Sequence, residues 1–129
     1  MGKILDQKFI REAVAGNTVE ATIDIGVFPT KALVLLTASG RSTYDANVSQ
    51  SAGIFLFMEV GGDQVCEDNS FEAASINLHF FRAAISHNFV LAAGRDARVR
   101  ISLQPEGVGG QQNKNSVLNA TYVAMAVEA

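Results

Sequence analysis

Residues 85–103, ISHNFVLAAGRDARVRISL, set the class of this fold. Two alternating runs flank a short polar break. Before the break, Ile85, His87, Phe89 and Leu91 fall on one side, with Ser86, Asn88 and Val90 on the other. After it, Ala97, Val99, Ile101 and Leu103 face one way while Arg98, Arg100 and Ser102 face the other. A period of two sends such sets to opposite faces of an extended strand. Gly94 offers the positive backbone angle of a tight reversal, and Arg95 and Asp96 keep its tip in water. The stretch reads as a β-hairpin with an apolar inner face and a cationic outer face.

The rest of the chain repeats this rhythm. Val19, Ala21, Ile23 and Ile25 alternate with Glu20, Thr22 and Asp24, the pattern of a half-buried strand. ALVLLT (residues 32–37) is a continuous apolar run, buried on both faces or at an interface. GIFLFMEV (residues 53–60) precedes Gly61-Gly62, a hairpin signal. Ile76, Leu78 and Phe80 alternate with Asn77, His79 and Phe81. In the final run, residues 116–127, both alternating sets carry apolar groups, so it is either central or set against a neighbouring chain. Residues 39–51, 67–74 and 107–115 read as polar connections. Residues 3–15 are ambiguous: Leu5, Phe9, Ala13 and Val14 fit one face of a short helix, and the same segment fits an extended arm. The strand-like remainder of the chain tips the reading to an arm or edge strand.

About eight short strands with turn signals and no internal repeat predict an all-β sandwich or barrel. At 129 residues the chain is long enough for one domain with its own core. Residues 1–17 are the expected N-terminal arm or edge segment and residues 18–129 the sandwich domain. A net charge of −3 argues against a general grip on nucleic acid. Cys66 is the only cysteine, so neither an internal disulfide nor a cysteine-based zinc site can form within one chain. No secretion signal or membrane-spanning run is legible.

Taken in order, LTASG (residues 36–40), FLFMEVGGDQV (residues 55–65), the LAAG turn (residues 91–94), RVRISL and the last apolar run resemble the compact jelly rolls of the C1q and tumour-necrosis-factor type. They are also similar to jelly rolls of bacteriophage fibre, tail and capsid-decoration proteins. The resemblance spans residues 19–127 and is one of order and rhythm. It implies a jelly-roll-type antiparallel β-sandwich that assembles as an oligomer, commonly a trimer.

The candidate chemistry is sparse. Glu59, Asp63, Glu67, Asp68 and Glu72 crowd one segment; as a solvated face they keep an edge soluble, and as a calcium site Asp63, Glu67 and Asp68 are the ligands to examine. His79 and His87 lack an obvious third metal ligand, and His87 on an apolar face suits a core or subunit contact. Arg98 and Arg100, with Arg82 and Arg95 as candidate neighbours, form either a row able to hold a carboxylate on a partner or a neighbouring subunit, or an exposed face that resists edge aggregation. Acidic neighbours in QVCED disfavour a Cys66 thiolate. No nucleophile elbow or phosphate loop is present. The sequons at Asn47 and Asn119 carry little weight without a secretory signal.

These residues lead to the expectation of a non-enzymatic structural or assembly protein without a cofactor. A phage virion component, either capsid decoration or tail/fibre, is the form expected. It would contact its own copies and other virion or surface proteins, with no nucleic-acid or membrane partner, and would reside in the virion or else the cytoplasm. Leu5, Phe9, Leu35, His87, Arg98, Arg100 and Tyr122 are the expected subunit contacts. The alternative is a soluble carbohydrate- or ligand-binding module using the loops at the sandwich ends.

Overall fold

A computed structural model describes residues 3–14, 18–45, 50–74, 78–107 and 112–127. Its elements are β1 (Ile4–Val14), β2 (Val19–Ile25), β3 (Ala32–Asp45), β4 (Gln50–Val60), β5 (Asp63–Ala74), β6 (Leu78–Leu91), β7 (Ala97–Gly107) and β8 (Gln112–Ala126). They form two four-stranded sheets, β1-β8-β3-β6 and β2-β7-β4-β5. Every pairing is antiparallel. The pairs β1·β8, β2·β7, β3·β6 and β4·β5 are nested, and successive pairs alternate between sheets. This is the strand order of a jelly-roll sandwich.

Alternation builds the core. β2 reads buried-exposed without a break from Val19 to Ile25. Val34, Leu36 and Ala38 of β3, Ala120, Tyr122 and Ala124 of β8, and Ile85 of β6 line the inner face of the first sheet. Val99, Ile101 and Leu103 of β7 meet them from the second sheet, together with Ile54, Leu56 and Met58 of β4. Each large apolar side chain removed from water contributes about 1.5–3 kcal/mol. The two-faced β8 and the apolar β3 are adjacent central strands, which explains the near absence of charge in their runs.

Four local expectations are corrected. The 85–103 stretch is not a hairpin. β6 pairs with β3 in one sheet, and β7 pairs with β2 and β4 in the other. The apolar faces of β6 and β7 therefore look at the core from opposite sides, and residues 92–96 carry the chain between sheets. Gly94, at φ +77°, donates its N–H to the Phe28 carbonyl at 2.9 Å and pins that crossing. Second, residues 39–45 belong to β3, held by ladders to β8 and β6 on both sides. Third, residues 67–74 are not a loop but most of β5, the outer strand of its sheet, where polar residues guard an open edge. Fourth, β7 extends to Gly107 and β8 begins at Gln112, so much of the expected 107–115 loop is strand.

The segment left open between helix and arm is β1. It pairs along its length with β8, from Ile4 opposite Met125 to Val14 opposite Ser116. Gly61 and Gly62, at φ +61° and +90°, make the tight β4–β5 turn as their sequence predicts.

Candidate interaction face

The outer faces of the two sheets differ in kind. On the second sheet the register sets Asp24 opposite Arg98 and Glu59 opposite Arg100. Arg98 Nε donates to Asp24 Oδ1 at 2.8 Å. Arg100 donates to Glu20 at 3.2 Å and to Glu59 at 3.0 Å, and its guanidinium lies 5.9 Å from the Phe57 ring centroid. The expected arginine row is thus held by carboxylates of its own sheet. The Asp24 hydrogen bond and charge hold the Arg98 guanidinium above its ordinary pKa.

The first sheet's outer face is built by rows that the register aligns across β1, β8, β3 and β6. Ile4, Met125, Leu33 and Val90 form one row, and Gln7, Val123, Leu35 and Asn88 the next. Phe9, Thr121, Thr37 and Ser86 follow, then Arg11, Asn119, Ser39 and Ala84. One end of the face is apolar: Ile4 is 52% and Val90 57% exposed, and Leu33, Leu35, Val123 and Met125 are only half-buried. Phe9 stands 65% exposed at its side. The other end is cationic, with Arg11 and the directly opposed pair Arg41 and Arg82. None of the residues named on this face is a carboxylate.

The other candidates are dispersed. Tyr122 is not at the surface: it is fully buried, and its hydroxyl donates to Asp6 Oδ2. Burial, then the Asp6 hydrogen bond and charge, push its pKa well above the ordinary value. Leu5 is half-buried against the core. His87 lies on the inner side of β6, half-buried and stacked on Phe89 with centroids 6.1 Å apart. His79 lies in β6, but its side chain falls outside the described residues, as do those of Tyr44 and Glu72. Burial pushes the Cys66 thiol up, away from nucleophilic use.

Asp63, Glu67 and Asp68 are not brought together. Neighbouring strand residues point to opposite faces, so Glu67 looks out while Asp68 looks in. Asp68 Oδ2 accepts the Ala84 N–H at 2.9 Å. Among the described residues no three His, Cys, Asp or Glu side chains are grouped to hold a metal ion. The sequon at Asn47 lies outside the described residues, and the one at Asn119 falls within β8.

The sequence reading missed Arg41, which lay in a segment it treated as a connection, and set Arg82 beside the Arg98 and Arg100 row, whereas the register places it opposite Arg41 in the other sheet. Their strand parity was a usable signal, since Ala83 and Gly40 beside them turn inward.

No protein-family model and no curated protein sequence matches the chain. Solved structures similar to it do exist, at low identity. Dimeric latent PorU from Porphyromonas gingivalis aligns over 93% of this chain and 13% of its own, at 5% identity and a TM-score of 0.44. The infectious bursal disease virus Gx strain structure aligns over 95% of this chain and 37% of its own, at 12% identity and a TM-score of 0.41. The globular domain of zebrafish complement 1qA aligns over 80% of this chain and 67% of its own, at 15% identity and a TM-score of 0.27. The chain thus spans well under half of the PorU and viral chains.

Proposed function

We propose that this jelly roll is a non-enzymatic building block that works as a homo-oligomer, with the apolar end of the first sheet's outer face as the subunit contact. One observation carries the reading. Ile4, Leu33, Leu35, Val90, Val123 and Met125 stand together on that face, partly in water. A contiguous apolar patch on a sheet already packed on its other side marks a surface meant for a partner. Closed symmetry among copies of one chain is the usual way to cover it, and a trimer is the form we expect. Among such assemblies, a phage virion component, capsid decoration or tail/fibre, is the role we assign. A sandwich with an apolar surface left for neighbours suits a coat of many copies.

Light scattering across a dilution series tests this. The expected result is an oligomeric mass that falls toward the 13.7 kDa chain mass as the protein is diluted. A monomer at every concentration overturns the reading.

A further inference from the structure

The cationic end of the same face carries a second feature. Arg41 and Arg82 are directly opposite each other in the β3·β6 ladder, so both side chains leave the sheet on its outer side. Like charges in that position destabilise a sheet. Neither arginine is within ion-pair distance of a carboxylate among the described residues. They border a shallow depression of about 610 Å³ together with Ser39, Asn119 and Ala84; Asp68 also lines it, with one oxygen committed to the Ala84 amide. A second depression continues from it over Ser39, Ala84 and Asn119 to Thr37, Ser86, Thr121 and the exposed Phe9 ring.

We infer that this groove binds a carboxylate-bearing saccharide. The two guanidinium groups supply the fork geometry that grips a carboxylate. Small side chains line the floor, and among its apolar groups the hydroxyls of Ser39, Ser86, Thr37 and Thr121 and the Asn119 amide both donate and accept, as sugar hydroxyls require. Thr37 and Thr121 hydroxyls already bond each other and keep lone pairs for a ligand. Phe9 offers an apolar ring at the far end. Along the strands the Arg41–Arg82 pair lies roughly 13 Å from the Phe9 row, and across them Arg41 is roughly 10 Å and Arg82 roughly 14 Å from Phe9, a span for a short oligosaccharide. An acidic peptide fits less well. The groove crosses a sheet face, where backbone groups are spent in ladders, so an extended peptide finds no edge to join.

The test uses isotope-labelled full-length protein and follows amide shifts on titration. The probes are trigalacturonate and sialyllactose, with lactose and a triglutamate peptide as controls. Shifts of Ser39, Ala84 and Asn119 amides with at least one acidic saccharide, much weaker with lactose and triglutamate, are expected. The double variant Arg41→Gln/Arg82→Gln should weaken that binding roughly tenfold or more. It should melt no lower than wild type, since it removes a like-charge opposition. No shifts with either acidic saccharide, equal shifts with lactose or triglutamate, or undiminished binding by the double variant would each overturn the assignment. The solution mass of the double variant should match wild type, which separates this site from the subunit contact.

Discussion

Asp68, on the open edge of the second sheet, accepts the backbone N–H of Ala84, on the open edge of the first, at 2.9 Å. Consecutive strands β5 and β6 lie in different sheets, so this bond closes the sandwich along one side where no ladder can. Asp68→Ala removes the acceptor and leaves the amide to solvent. A loss of about 0.5–1.5 kcal/mol in urea unfolding is expected, with Asp68→Asn losing less because its amide oxygen can still accept.

Gly40 and Leu103 set the spacing between the sheets. A Cβ on Gly40 would lie 2.7 Å from Leu103 Cδ1, and Leu103 is itself fully buried. Gly40→Ala should therefore cost about 1–3 kcal/mol by overpacking. Adding Leu103→Val to Gly40→Ala should cost less than the two single changes summed, since the shorter side chain makes room; urea midpoints at constant slope check this.

Much of the fold was legible because alternation reports which face a residue occupies. Val19 to Ile25 and Ala97 to Leu103 occupy the faces their periods predict. Pairing was not legible. The apolar sets of β6 and β7 fit a hairpin as well as two opposed sheets, and the partners that decide, β3 and β2, lie far away in sequence. Strand length was misread where polar residues sit in a ladder, as at Ser42, buried and bonded to Ser116 at 2.6 Å. The carboxylates that face the Arg98 and Arg100 row were hidden for the same reason. Nothing local to RVRIS reveals that Asp24, Glu20 and Glu59 lie across from it.

Those arginines should differ in weight. Arg98 and Asp24 are 72% and 71% exposed along their side chains, so water and salt screen the pair. Arg98→Ala should leave stability essentially unchanged. Arg100 bridges two carboxylates and covers Phe57. Arg100→Ala should cost about 1–2 kcal/mol, through lost packing as well as charge, measured side by side in urea.

Tyr122 gives the fold an alkaline limit. Its phenol pKa is raised on folding, so the neutral form is favoured in the native state. Below pH 10 the phenol is protonated both folded and unfolded, and its contribution is full. Above pH 10 the unfolded chain ionises first, and wild type loses stability as pH rises. Tyr122→Phe should lack this component of the decline, so the stability gap between the two proteins narrows above pH 10. A gap independent of pH would place the phenol in an ordinary environment.

On the proposed reading, the apolar end of the first sheet's outer face buries against other copies of the chain. The most direct test is sedimentation mass of Leu35→Lys beside Thr22→Lys. Leu35 is half-buried on that face, and Thr22 is exposed on the outer face of the opposite sheet. Both variants should stay folded, since neither position faces the core. Wild type and Thr22→Lys should sediment as oligomers and Leu35→Lys as a monomer. An unchanged mass for Leu35→Lys, or a monomeric wild type, would contradict that reading.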